Sequence, residues 1–251
     1  MVSDNSLFSS ISIIIAAFNE EKRIIPSLLK IKEYINKQNI PYEIIVVDDG
    51  STDHTHTVVR DLIKDIPYLK VIHYAPNKGK GHALRTGVLA SKGEIILLSD
   101  ADLSTPIEEL SKLLPLIYNH KCDIAIGSRA LALSEIVKKQ PWWRQSMGKF
   151  FNKLVKALVI EDFKDTQCGF KVFRGDIARN LFKEAQIDRF AYDVEILAIG
   201  KKKGCKIVEA PVRWINSPES KVNPVKDSLQ MFGDLLKIRM TIGKTEKNSH
   251  S

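Results

Sequence analysis

Two hydrophobic periods alternate along the first hundred residues. "ISIIIAAF" is a short β-branched run and predicts a strand. In the following "NEEKRIIPSLLKIKEYINKQ", Ile24, Leu28, Ile31 and Ile35 recur at helical spacing, with Pro26 near the first turn. The alternation continues with the strand "YEIIVVDDGS" and the helix "TDHTHTVVRDLIKDI", for which Thr52 or Asp53 is the candidate N-cap. The strand "LKVIHYA", the glycine-rich helix start "NKGKGHALRTGVLAS" and the strand "GEIILLSDAD" come next. After Asp102 the order changes. "TPIEELSKLLPLIYN" predicts a helix and "CDIAIGSRA" a strand; "DTQCGFKVFRGDIARNLF" predicts a loop or short strand, then a helix. "AYDVEILAIGKKKG" predicts a helix, "CKIVEAPVRWI" a strand, "NSPESKVNPVKD" a polar loop and "SLQMFGDLLKIRM" a closing helix.

Strands and helices at this spacing imply right-handed βαβ units and a mostly parallel sheet flanked by helices. No repeat or linker interrupts the pattern. The expectation is a single α/β domain over residues 10–240, a flexible N-terminus over 1–9 and a disordered tail over 241–251. Ligands of such sheets bind at the carboxyl ends of the strands. Three strands end in polar signatures, Asn19-Glu20, Asp48-Asp49 and Asp100-Ala101-Asp102, so all three should open on one edge.

Asp100 and Asp102 lie one residue apart, on the same side of an extended segment. Like charges that close disfavour ionisation unless a cation intervenes. Mg²⁺ or Mn²⁺ would resolve the conflict with few protein ligands, the phosphates of a nucleotide supplying others. The plainer alternative is a turn in which one aspartate caps the next helix. In "VVDDGSTD", Ser51, Thr52 and Asp53 read as turn and cap residues, and Asp49 as the ligand candidate for a base N–H or ribose hydroxyl. His54 and His56 point to different helix faces and read as solvated. "NKGKGHALRTG" lacks the Walker A pattern; its glycines suit close helix–sheet approach, and Lys80 is either a donor contact or an ordinary surface lysine.

Composition adds less. The chain has 251 residues, 44% hydrophobic and 27% charged, as in soluble globular proteins. Its three cysteines have no metal-ligand spacing and suit a reducing compartment. No run approaches the ~18 apolar residues of a membrane span, and the first residues lack a secretory pattern, so the cytoplasm is expected. The formal net charge of +8 points to an anionic partner. Much of it sits in residues 138–160, where Lys138, Lys139, Arg144, Lys149, Lys153 and Lys156 meet no anion. Trp143, Met147, Phe150, Leu154 and Leu158 form a helical stripe among them. That pattern suits a helix lying in a membrane interface, or a core-packing helix with a basic rim. No helix-turn-helix, zinc or RNA-recognition signature accompanies the charge, so nucleic acid is not expected as a partner.

Taken in order, "AAFNEE", "VVDDGSTD", "NKGKGHALRTG", "DADLSTP", "GSR", "DTQCGFKVF", "RFAYDVEIL" and "ESKV" resemble the family 2 inverting glycosyltransferases, and within them the dolichyl-phosphate (polyprenyl-phosphate) β-glucosyltransferases. The resemblance covers about residues 10–240 and implies a GT-A type, Rossmann-like domain. It implies that Ala16, Phe18 and Glu20 line a base pocket with Asp49 beside the uracil or ribose. Asp100-Ala101-Asp102 then matches the D-x-D of the donor and metal site, Asp102 being the more direct metal ligand. Ser104 stands where mannose synthases have a glutamine. Arg129 matches an arginine at the donor phosphates, Lys221 a phosphate-binding lysine on a mobile loop, and Asp165 a proposed catalytic base or orienting carboxylate. Gln167 and Lys171 are possible helpers. Of Asp193 and Glu195, at most one faces the pocket, Asp193 being the better match. Asn216-Ser217-Pro218 replaces the arginine that mannose synthases carry upstream of that lysine. The implied reaction is glucose transfer from UDP-glucose to a polyprenyl or dolichyl phosphate with Mg²⁺ or Mn²⁺, by a peripheral protein on the cytoplasmic face of a membrane. Rival readings are GDP-mannose as donor, a nucleotidyltransferase, and a non-catalytic membrane-surface nucleotide-binding module. The oligomeric state stays open.

Overall fold

The first strand, β1 (Ile11–Ala17), is apolar except for Ser12, whose hydroxyl donates to Glu43, because both of its faces are covered. Ile11, Ile13 and Ile15 pack on one side with Ile24, Leu28, Ile31 and Ile35 of α1 (Ile24–Asn36). Ile14 packs on the other side with Ala83, Leu84 and Val88 of α3 (Lys80–Ala90). A one-residue slip would exchange the two faces, so the register is strongly specified. In this computed structural model, residues 10–138, 141–217 and 224–248 are described.

β1 pairs in parallel with β2 (Tyr42–Asp49) on one edge and with β4 (Ile95–Asp100) on the other. β3 (Leu69–Tyr74) extends the sheet beyond β2. Past β4 come β7 (Lys171–Arg174), β5 (Ile124–Ser128) and β8 (Ile207–Pro211), completing a seven-stranded sheet in the order β3-β2-β1-β4-β7-β5-β8. The strand order reverses at β1, so the ends of β1, β2 and β4 open on one edge as expected. In register, Ala16 stands beside Asp100, and Ala17 beside Asp48.

α4 (Leu110–Tyr118) shares the face of α1, whereas α6 (Gly175–Glu184) and α7 (Tyr192–Lys202) share that of α3. Of the glycines in "NKGKGHALRTG", Gly87 acts as expected, whereas Gly79 and Gly81 lie against the Asp188 and Ile187 carbonyl oxygens and not against the sheet. A Cβ on Gly87 would lie 2.4 Å from Ile14 Cγ2, so α3 rests directly on β1.

Several expectations change. β7 is antiparallel to both its neighbours. The run "CKIVEAPVRWI" breaks at buried Val212: β8 stays in the main sheet, while β9 (Arg213–Ile215) pairs with an unanticipated strand, β6 (Glu135–Lys138). Helix α2 (Thr55–Asp61) begins later than residue 52 or 53, at N-cap His54. Asn19 Oδ1 accepts the Thr52 and Asp53 N–H groups and ties that turn to the end of β1. Asp53 instead accepts the Thr55 N–H at 2.9 Å. The last helix, α8 (Pro224–Asn248), continues through most of the expected disordered tail.

The segment 138–160 also differs from a purely membrane-facing helix. Its helix, α5 (Trp142–Leu158), buries Phe151 and Val155 in the core cluster that includes Met231, Leu235 and Ile238 of α8. Of the expected stripe, Phe150 is 64% exposed, while Leu154 and Leu158 are half-buried against that core.

Candidate active site

The sheet edge is assembled from interlocked turns. Asn19, at the end of β1, has a positive φ of 56°, which asparagine tolerates better than most residues. Its N–H donates to Ser51 Oγ at 2.9 Å, and the Glu20 N–H to Thr55 Oγ1 at 2.7 Å, fastening the β1 and β2 turns together. Asp48 is fully buried and pairs with Ser51 N–H and His73. Asp49 is 3% exposed and accepts hydrogen bonds from Asn77 Nδ2, Lys78 N and Gly79 N, each at 2.8 Å. Asp49 thus braces the loop that delivers Lys80. A carboxylate offers about four acceptor sites; the Lys78 bond is to Oδ1 and the other two are to Oδ2, so the remaining capacity is on Oδ1.

Lys80, at the start of α3, reaches Asp100 Oδ1 at 2.5 Å. Burial alone would push the lysine down and the aspartate up. Their mutual attraction, with Asp193 and Asp102 adding to the lysine and Lys171 and Arg129 to the aspartate, reverses both directions. Asp100 fits because residue 169 is glycine: a Cβ there would lie 2.4 Å from both carboxylate oxygens. Two residues on, Asp102 accepts the Ser104 N–H at 2.9 Å and faces Arg23 Nη1 at 3.4 Å. Arg23 also grips Glu20 through Nε at 2.7 Å and Nη2 at 2.5 Å, and donates to Ser217 Oγ at 2.6 Å. One guanidinium therefore joins the β1 turn, the D-x-D segment and the chain leaving β9.

Arg129, just past β5, forms a two-pronged pair with Asp165, Nε to Oδ2 at 2.7 Å and Nη2 to Oδ1 at 2.9 Å. The Arg129 and Gln167 N–H groups donate to the same carboxylate. Burial would push Asp165 up, but the Arg129 guanidinium outweighs it and holds the carboxyl below its ordinary range. Glu209 of β8 accepts the Lys164 and Asp165 N–H groups, fixing that loop, and Trp214 of β9 lies 5.5 Å from the Arg129 guanidinium carbon. Deeper still, Lys171 is 1% exposed and donates to Asp193 and to the Cys168 carbonyl. Desolvation raises the Asp193 carboxyl despite Lys171 and Lys80 beside it. Glu195 points elsewhere, accepting the Gln186 and Ile187 N–H groups.

The sequence pattern of glycosyl transferase family 2 matches residues 12–182. The chain belongs to glycosyl transferase family 2. Among curated relatives, the dolichyl-phosphate beta-glucosyltransferase of Dictyostelium discoideum is 35% identical over 240 residues, 91% of this chain and 73% of that protein. The Homo sapiens protein of the same name is 35% identical over 242 residues, 92% of this chain and 75% of that protein. Among solved structures, glucosyl-3-phosphoglycerate synthase from Mycobacterium tuberculosis, bound to Mn²⁺, UDP-glucose and phosphoglyceric acid, superposes with a TM-score of 0.68. It is 18% identical and the match covers 92% of this chain and 80% of that one, a likeness of fold. The sheet described above is thus of the GT-A type.

Within this family 2 domain, Ala16, Phe18, Glu20, Asp49, Lys80, Asp100, Ala101, Asp102 and Arg129 lie on or just beyond strand ends or at the start of α3, while Asp165 lies in the loop between α5 and β7. Lys221 lies outside the described residues. Arg23, Gly169, Glu209 and Trp214 were not singled out from the sequence. Gly169 had the clearest signal, a glycine inside a motif already read as functional. Among the described residues no group of three His, Cys, Asp or Glu side chains could hold a metal by itself. The chemistry still suits a hard cation with few protein ligands: two oxygen-only side chains lie at one strand end, their side chains 28% and 17% exposed, and the Arg23 contact to Asp102 is long.

Proposed function

We propose that the chain transfers glucose from UDP-glucose to a polyprenyl or dolichyl phosphate, with inversion, at a membrane surface. The observation that carries the acceptor is the state of Asp165. A carboxylate that accepts four hydrogen bonds and is held acidic by Arg129 is a poor proton acceptor near neutral pH. An alcohol acceptor needs such a base. A monophosphate, with a second pKa of ~6, arrives already charged. The names of the curated relatives agree with that acceptor.

In this reading Ala16, Phe18, Glu20 and Asp49 line the nucleotide pocket, Asp49 with its remaining acceptor capacity toward a base N–H. Lys80 and Arg129 face the donor diphosphate and stabilise charge as it leaves. Asp165 is a positioning residue that holds the Arg129 fork, and Lys221 is assigned to a substrate phosphate. Asp100 and Asp102, with Ala101 between them, would hold Mg²⁺ or Mn²⁺, which when bound supplies charge neutralisation for the leaving UDP. The acceptor phosphate oxygen attacks the anomeric carbon opposite the leaving diphosphate, and that single displacement inverts the centre. Membrane contact is supported by exposed Lys149, Lys153 and Lys156 around exposed Phe150 on α5, and by exposed Phe232, Leu236 and Met240 at successive turns of α8. Among the described residues no helix is long and apolar enough to cross a membrane.

The test is a donor screen with Mn²⁺ and a polyprenyl phosphate, offering UDP-glucose, UDP-galactose, UDP-N-acetylglucosamine and GDP-mannose. Glucose in the lipid extract from UDP-glucose alone is the expected result. Transfer only from GDP-mannose would overturn the donor, and nucleotide binding without transfer from any donor would overturn the reaction.

A further inference from the structure

The two-stranded ribbon of β6 and β9 is an odd place for apolar side chains. A ribbon of that size has little stability of its own in water, and exposed aliphatic strands are an aggregation hazard that proteins normally suppress. Yet Leu133 is 84% exposed, Ile136 43%, Val137 48% and Ile215 36%. Leu133, Ile136 and Val137 fall within five residues of sequence, whereas Ile215, in register with Lys138 and next to the Ile136 partner Trp214, belongs to the other face of the ribbon. Exposed aliphatic clusters rimmed by polar residues mark binding surfaces. Glu135, Lys138 and Arg213 supply such a rim.

The ribbon is fastened to the reaction centre from two directions. Ser134 Oγ donates to the Ser128 carbonyl at 2.6 Å and Glu135 N–H to the Val212 carbonyl at 3.2 Å, holding β6 at the end of β5 where Arg129 begins. Ile215 N–H donates to the Ser104 carbonyl at 2.7 Å, two residues past Asp102. Between these anchors, Trp214 carries the Arg129 guanidinium near its ring, and its register partner on β6 is Ile136. An anion-binding arginine and an exposed aliphatic surface thus share one rim.

We infer that the β6–β9 ribbon, through Leu133, Ile136 and Val137, is the subsite for the isoprenoid chain of the acceptor, seating the units nearest its phosphate beside the rim where Arg129 faces the donor diphosphate. The inference rests on the proposed lipid-phosphate acceptor. Its ligand is amphiphilic in the same sense as the rim: charge at one end, branched hydrocarbon beside it. Hydrocarbon contact of this kind contributes in proportion to the apolar area covered. Long acceptors should therefore gain affinity from the ribbon that a very short one lacks.

The test compares wild type with a Leu133→Ser, Ile136→Thr, Val137→Thr variant, threonine being chosen to keep the strand preference. Two acceptors are used in detergent, a long polyprenyl phosphate and dimethylallyl phosphate, which has one isoprene unit. The expected result is a KM for the long acceptor raised about tenfold. The KM for UDP-glucose, the acceptor-free hydrolysis of UDP-glucose and the rate with dimethylallyl phosphate should be unchanged. Leu133→Ser alone, outside both strands, should shift the long-acceptor KM in the same direction and keeps the test available if the triple variant misfolds. Equal KM values for the long acceptor, or equal losses with both acceptors, would overturn the inference. So would a variant whose only defect is weaker binding to acceptor-free anionic vesicles, since the ribbon would then be a bilayer contact. Wild type that transfers to neither acceptor would instead sink the lipid-phosphate reading itself, and the subsite with it.

Discussion

Replacing Gly169 with alanine adds one methyl group at the most crowded point of the site. That carbon would lie 2.4 Å from each Asp100 oxygen and 2.6 Å from Cγ, where ordinary contact begins at 3.4 Å. Asp100 must therefore withdraw by about 1 Å. Gly169 is not among the residues with positive φ, so alanine adds no backbone strain and the effect is steric alone. The retreat pulls Asp100 from Lys80, now 2.5 Å away, and from the position proposed for the cation. A misplacement of that size costs on the order of 10²-fold in rate, or about 2.7 kcal/mol of transition-state stabilisation. Overpacking of a tight site costs ~1–3 kcal/mol of stability, so thermal unfolding must be followed beside kcat. Gly148 on α5 is the matched control: a Cβ there meets nothing within 4 Å. Gly148→Ala should keep full activity and gain a few tenths to ~1 kcal/mol from reduced helix-glycine entropy. A folded Gly169→Ala protein with wild-type kcat would show that the position of Asp100 does not matter to the reaction, and would refute the argument.

Asp165→Asn should lower kcat/KM about 30-fold, the ~2 kcal/mol of one charge-assisted hydrogen bond, yet keep an acid limb near the acceptor's second ionisation at ~6. Loss of that limb in the pH–rate profile would make Asp165 a base after all. Its depressed carboxyl also stabilises the fold above the ordinary carboxylate range near ~3.9, and that contribution disappears as pH falls through the lower folded value. Thermal midpoints below about pH 4 should accordingly fall less steeply in Asp165→Asn than in wild type. Arg23→Lys keeps the charge but loses the fork on Glu20, and should weaken UDP binding in calorimetry by about 1 kcal/mol, roughly fivefold; unchanged affinity would remove Arg23 from the donor site.

The alternation of β1 to β4 with helices was legible because β1, β2 and β4 are largely buried on both faces, the edge strand β3 keeps a β-branched run, and each helix has one apolar stripe. β7 was harder: four residues long and antiparallel, it obeys a pairing that no local period reports. The break at Val212 is hidden for a related reason. Its side chain is fully buried, so the apolar run reads as continuous while the backbone changes sheets. On α5, adjacent Phe150 and Phe151 make two stripes compatible with one sequence, and packing against α8 selects Phe151 and Val155. Within the site, the carboxylates were visible as strand ends. Their partners were not, because Arg23 and Asp102 lie 79 residues apart and Arg23 and Ser217 lie 194 apart.

Those partners revise the physical case for a metal at Asp100 and Asp102. Two close carboxylates demand compensating charge, and the fold already provides it: Lys80 pairs with Asp100 and Arg23 faces Asp102. In the proposed reaction, binding of a cation and a nucleotide would then be an exchange of partners. Contact length and exposure together rank how readily each pair exchanges: Lys80 and Asp100 are the most exposed at 28% each but meet at 2.5 Å. Lys171 and Asp193, at 1% and 6% side-chain exposure, form a buried pair whose rupture would cost roughly 3–5 kcal/mol. Arg129 and Asp165 are intermediate at 28% and 8%, with a fork that fixes geometry. The 3.4 Å contact of Arg23 to Asp102 is long and both side chains are partly exposed, so it is the weakest link and belongs nearer the ~0–1 kcal/mol of surface pairs. The inner pair therefore stays fixed while the outer carboxylate is released, which singles out Asp102 as the oxygen donor a cation can take at least expense to the fold. In the proposed reaction the positive charge left behind, Arg23, would stand beside the diphosphate that accompanies the cation, with Lys80 still paired to Asp100.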